Sequence, residues 1–169
     1  MMRTNRKMAA VLAAALLAGT ASAGVAQAVP ATGGSAAPSA CRPANHTAKI
    51  SAADNTAGHR HYRVTLTAPR GYEPCRLAGS PTGVRFSEHG TDSGITAGSY
   101  GDQDTAVTFG PGRPVHFDIQ VPNNGGGVPA DEASFTLRAP DGEIPGTSSA
   151  EGGLTVTAGT LVGPVQRGA

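Results

Sequence analysis

Apolar and polar residues take turns along most of the chain after residue 41. Tyr62, Val64 and Leu66 alternate with His61, Arg63, Thr65 and Thr67, and Val115, Phe117, Ile119 and Val121 alternate with His116, Asp118 and Gln120. Shorter runs repeat the pattern: Val84 with Phe86, Val107 with Phe109, Phe135 with Leu137, Leu154 with Val156. Successive side chains of a strand point to opposite faces, so each run predicts a strand with one apolar and one wet face. Ile50 falls in an earlier strand and Leu77 in a short one after Cys75. Ala68-Pro69-Arg70-Gly71, Gly110-Pro111-Gly112, Asn123 to Gly127 and Pro140-Asp141-Gly142 supply turns between them. No stretch in this region carries a helical stripe of useful length. About seven or eight short strands separated in this way predict an all-β chain, an antiparallel β-sandwich. Ser87 to Asp104, polar and glycine-rich, reads as a long loop. Phe86, Phe109, Phe117 and Phe135 fall at inward positions and are expected in the core.

The first residues obey a different logic. Arg3, Arg6 and Lys7 precede an apolar run from Met8 to Leu17, and two small-x-small sites follow, Ala21-Ser22-Ala23 and Ala26-Gln27-Ala28. This is the layout of a cleaved secretory signal, and the run is too short to span a membrane. The organisation expected is a signal over 1–28, cleaved after Ala23 or Ala28, a flexible Ala/Gly/Ser/Pro leader over 29–40, a β-sandwich over 41–164 and a short tail over 165–169. The protein is then secreted, with no membrane span after cleavage. Removing Arg3, Arg6 and Lys7 leaves ten basic against twelve acidic residues, a net charge of −2. Such a surface gives no electrostatic case for nucleic acid.

An exported chain with two cysteines, Cys41 and Cys75, is expected to join them. The core is lean and has no tryptophan, so a covalent constraint matters. Closing a loop of this length contributes roughly 4 kcal/mol in the chain-entropy treatment.

Candidate chemistry is sparse. His59 and His61 sit two apart at the head of a strand, so both imidazoles face one side and form a candidate zinc or copper pair. Spacing supplies no third ligand. Asp92, Asp102 and Asp104 lie in one glycine-rich loop without the spacing of a calcium-binding loop. Ser87, His116 and Asp118 can be drawn as a triad, but no serine stands in a Gly-x-Ser-x-Gly elbow. Asn45-His46-Thr47 matches the N-glycosylation pattern. Tyr72 and Tyr100 fall in expected loops, where an aromatic ring can anchor a partner. No catalytic residue and no cofactor is implied.

Several segments together carry a resemblance: Cys41-Arg42-Pro43 at the start, Gly58 before the strand His61 to Thr67, and Pro74-Cys75-Arg76-Leu77-Ala78-Gly79-Ser80-Pro81. Val107-Thr108-Phe109-Gly110-Pro111-Gly112 and Leu154 to Leu161 continue it. From Cys41 to Pro164 the chain resembles the secreted actinobacterial family known as domain of unknown function 4232. The resemblance implies an immunoglobulin-like β-sandwich, exported or lipid-anchored, with no established activity, cofactor or catalytic residues. Two positions depart from it: Ala68-Pro69-Arg70-Gly71 where members tend to carry Asn and Gly, and Ser80 where they often carry Tyr.

The leading expectation is a non-enzymatic binding or structural module at the cell envelope or in the medium, its partner an envelope or secreted protein or a glycan. Contact residues are expected on loops, with Tyr100, Asp102, Asp104, Asn123 and Asn124 as candidates. The alternatives are a secreted hydrolase or a protease-inhibitor-like protein facing its target with Arg70 or Arg76, and a weak metal binder using His59 and His61.

Overall fold

The computed structural model describes residues 37–123 and 126–169. The expected signal, the leader up to residue 36, and Asn124 lie outside the described residues. The alternating runs fall in strands, except that Leu137 sits in the one-residue gap between two of them. The strands are β1 (Thr47–Thr56), β2 (His59–Thr67), β3 (Cys75–Ala78), β4 (Thr82–Glu88), β5 (Thr91–Thr96), β6 (Gly98–Ser99) and β7 (Ala106–Phe109). They continue as β8 (Val115–Pro122), β9 (Val128–Thr136), β10 (Arg138–Ala139), β11 (Gly142–Glu143), β12 (Ser148–Val156), β13 (Leu161–Val162) and β14 (Gln166–Arg167). The one helical element among the described residues is a single 3-10 turn, Pro43–Asn45.

The described residues are all-β, but with more strands and a different layout than seven or eight in an antiparallel sandwich. One large sheet runs β5-β4-β9-β12-β1-β2-β8-β13-β6, with β14 also on β8, while β3–β7 and β10–β11 form two-stranded ribbons. Two pairings in the large sheet are parallel, β1 with β12 and β13 with β6. Periodicity reports which face a side chain takes, not the direction of the neighbouring strand, so these pairings lay beyond it.

The sheet curls on itself. Phe117 on β8 and Phe135 on β9 are four strands apart along it, about 19 Å if the sheet were flat. Their ring centroids are 5.1 Å apart, edge to face. Val64 and Leu66 from β2, Ile119 and Val121 from β8, and Leu77, Val107 and Phe109 from the β3–β7 ribbon belong to the same buried cluster. All four phenylalanines are buried, as their positions in the alternation required.

Ser87 to Asp104 is not a long loop. It holds the end of β4, all of β5 and β6. His89 and Gly90 form the two-residue β4–β5 turn, both with positive φ (49° and 79°), the geometry of a type I′ hairpin. Both carboxylate oxygens of Asp131 accept the His89 N–H at 3.1 Å. β5 carries one large apolar residue, Ile95, because it is an edge strand, and so its alternation was too weak to read. Asp92 Oδ1 accepts the Gly94 N–H at 2.7 Å, bending a sheet edge that would otherwise be free to pair.

The domain also reaches further than 41–164. Val165 is buried, and Gln166–Arg167 pair with β8 as β14 rather than forming a tail. At the other end, Ala40 is buried; its N–H donates to Glu73 O at 2.9 Å, and the Glu73 N–H donates to Pro38 O at 3.1 Å. Ser80 is buried and donates its hydroxyl to Val162 O at 3.0 Å.

Candidate functional site: a cleft beside the disulfide

Cys41 and Cys75 are joined, with their Cα atoms 6.0 Å apart. The bond ties the segment before β1 to the start of β3. That segment is held locally as well. Pro43 opens the 3-10 turn, and the Asn45 N–H donates to Arg42 O at 2.9 Å. Asn45 Nδ2 donates to Ser39 O at 2.7 Å. The amide that a glycan would occupy is thus already engaged in the fold. His46 closes the corner: Nδ1 lies 2.9 Å from Ala40 O, Nε2 lies 3.0 Å from Ser148 Oγ, and the ring packs edge-on against Phe109. Burial pushes the His46 pKa below its ordinary value, against the smaller opposing pull of the Ala40 and Arg42 carbonyls.

Between this segment, the head of β3 and the β10–β11 hairpin lies a cleft of about 910 Å³. Pro43, Ala44, Ala139, Pro140, Ile144 and Pro145 form its aliphatic walls, and the disulfide lies in its lining. Ile144 is held in place by its N–H, which donates to Leu137 O at 2.8 Å. The polar lining is Ser39, Arg42, Arg76 and Asp141. Ser39 Oγ accepts the Cys41 N–H at 3.2 Å. Arg42 and Arg76 are exposed, and neither takes part in the three ion pairs found among the described residues, Arg63–Asp118, Arg85–Asp92 and His89–Asp131. Volume, concavity and a mainly apolar lining with a few polar groups are the usual features of a ligand site.

The residues singled out from sequence lie elsewhere, except the cysteines and Arg76. His59 and His61 are neighbours, ring centroids 6.4 Å apart, with His61 Nε2 2.8 Å from Thr56 Oγ1. Among the described residues no group of three or more potential metal ligands gathers around them or anywhere else. Tyr100 is half-buried, its ring lying over Gly163, where an added Cβ would come within 2.8 Å of the phenolic oxygen. Burial raises the Tyr100 pKa, with a further push from the Asp118 charge and an opposing pull from a hydrogen bond with Gln120.

Asp102 is committed to its own turn. It accepts from the Thr105 hydroxyl and from the amides of Asp104 (2.8 Å) and Thr105 (3.3 Å). These bonds, the hydroxyl's first, lower its pKa. Asp104 is exposed. The Asn123 N–H donates to Gly58 O at 3.0 Å, placing Asn123 beside the β1–β2 turn. The Tyr100 N–H donates to Val162 O, and Val162 pairs with Ile119, about 13 Å back along β8 from Asn123. Tyr100 and Asn123 are therefore not brought together around one point.

Among the described residues no hydrogen bond links the drawn triad. Asp118 pairs with Arg63 at 3.3 Å, His116 Nδ1 lies 3.2 Å from Gly168 O, and Ser87 is on β4, with four strands between it and β8 in the sheet order. Tyr72 packs against the core, and Arg70 is exposed in its turn.

The cleft itself was missed. Its walls come from prolines and alanines, which in sequence read as turn punctuation. Ile144, a large aliphatic residue stranded among Gly and Pro, was the one available signal.

Residues 41–166 match the family described as Domain of unknown function (DUF4232). The chain belongs to this family. The match begins at one wall of the cleft, Cys41, and also takes in Cys75, Arg76 and the β10–β11 hairpin. No curated protein and no solved structure matches the chain.

Proposed function

We propose that this member of the DUF4232 family is an exported, non-catalytic binding module whose ligand sits in the cleft beside Cys41–Cys75. One observation carries the reading: a mainly aliphatic concavity of about 910 Å³ is bordered by a covalent cross-link and by two arginines with no ion-pair partner among the described residues. A cross-linked wall preorganises the site, which lowers the ordering cost of binding. The lining supports binding rather than turnover. Among the described residues that line it there is no histidine, the one acid is Asp141, and the Ser39 oxygen is engaged by a backbone amide.

The test is titration with a neutral solvatochromic dye. Saturable one-to-one binding is expected, abolished by Ala44→Trp in the cleft wall and retained by Thr96→Trp on the β5 edge. Equal binding to both variants overturns the assignment. Export is checked separately by the mass of protein recovered from the medium, expected to begin at Gly24 or Val29. Protein retained in the cell and still beginning at Met1 overturns that part.

A further inference from the structure

We propose that the ligand class of this cleft is an aliphatic acid, a linear hydrocarbon chain ending in a carboxylate. The inference rests on reading the cleft as the binding surface and deepens that reading. The body of the site selects the hydrocarbon. Its walls are Pro43, Ala44, Ala139, Ile144 and their neighbours, and no aromatic ring is among the described residues that line it. Proline-rich peptides dock in aromatic-lined grooves, and bases stack on aromatic faces. This cleft has neither device. What it removes from water is aliphatic surface, and burying a chain there is favourable in proportion to the apolar area covered.

The rim selects the acid. Arg42 and Arg76 each follow one cysteine of the disulfide, whose Cα atoms are 6.0 Å apart, so the two arginine Cα atoms lie within about 14 Å of one another. Guanidinium presents a planar fork that matches a carboxylate in a bidentate pair. Both side chains line the cleft, are exposed, and have no ion-pair partner among the described residues. Asp141 faces the same space and leaves the lining one positive charge in excess. That balance accommodates a single anionic group better than a doubly charged one.

The experiment displaces the neutral dye with decanoate, decan-1-ol or decylammonium, each below its aggregation concentration. Decanoate is expected to compete best and decylammonium worst, and the advantage of decanoate over the alcohol is expected to shrink with added salt. In the protein carrying Arg42→Gln and Arg76→Gln, decanoate is expected to weaken about tenfold, with decan-1-ol unchanged. Both arginines are exposed, so an unchanged melting midpoint verifies that this variant folds. If all three compete equally, or the double variant holds decanoate as well as the parent does, the acid class is wrong. The cleft reading then stands, because the dye still binds and Ala44→Trp still removes it. If the dye does not bind, decanoate is titrated directly by calorimetry, and no heat of binding overturns both readings.

Discussion

His46 Nε2 lies 3.0 Å from Ser148 Oγ while Nδ1 of the same ring lies 2.9 Å from the Ala40 carbonyl. One imidazole thus joins the segment leading into the disulfide to the first residue of β12. A carbonyl only accepts, so Nδ1 carries the proton, and Nε2 accepts from the serine hydroxyl. The neutral ring meets both requirements.

This arrangement sets a pH dependence. Burial lowers the folded-state pKa of His46 below its ordinary value of 6.5. Below 6.5 the unfolded chain therefore binds more protons than the folded one at this site, and stability rises with pH there. The contribution is complete above 6.5 and is lost as pH falls toward the depressed folded value. Urea midpoints between pH 8 and pH 5 are expected to fall across that window. His46→Gln is expected to flatten this part of the profile. A parent profile with the same slope as the variant counts against the role.

The disulfide is expected to contribute a large share of the stability. Its sequence separation of 34 corresponds to roughly 4 kcal/mol in the chain-entropy treatment. Replacing Cys41 and Cys75 together by serine is expected to lower the unfolding free energy by about that amount. The same variant is expected to weaken dye binding in the cleft, since the cross-link borders it. Calorimetric unfolding and dye titration of one preparation check both.

The contact between Phe117 and Phe135 closes the curl of the large sheet. Truncating either to alanine is expected to cost about 3–5 kcal/mol. A double-mutant cycle is expected to show about 1 kcal/mol of coupling between them. Additive losses would mean that the two rings act as independent core residues.

Gly152 occupies a bulge where Gly152 and Gly153 of β12 oppose the single residue Asp131 of β9. Its φ is +148°, and an added Cβ would lie 2.4 Å from the Ile50 carbonyl oxygen on β1. Gly152→Ala is expected to destabilise by about 2 kcal/mol or more, whereas Gly153→Ala, with open space around it, is expected to cost much less. Chemical denaturation of the two variants side by side gives the comparison.

Asp131 fixes the β4–β5 turn by accepting the His89 amide in a positive-φ conformation. Asp131→Ala is expected to leave global stability within about 1–2 kcal/mol of the parent and to speed proteolysis at His89-Gly90. Unchanged cleavage would show that the two-residue turn holds its shape without the carboxylate.

The strand-rich class, the inward set of residues and the cross-link were legible in the order of residues alone. Face alternation has a period of two, so Val64, Leu66, Phe117, Ile119 and Val121 announce a buried face wherever the strand lies. Two cysteines allow one pairing within the chain. Periodicity does not encode the parallel neighbour of β1, the edge strand hidden in Thr91–Thr96, or the curl that brings β8 against β9; these come from how the strands assemble. The cleft does too. Pro43, Ala139, Pro140, Ile144 and Pro145 come from two segments about a hundred residues apart and carry no shared pattern. Only the disulfide, the Pro43–Asn45 turn and the β10–β11 hairpin together bring them around one space, because a concave surface is a property of distance in the fold and not of order along the chain.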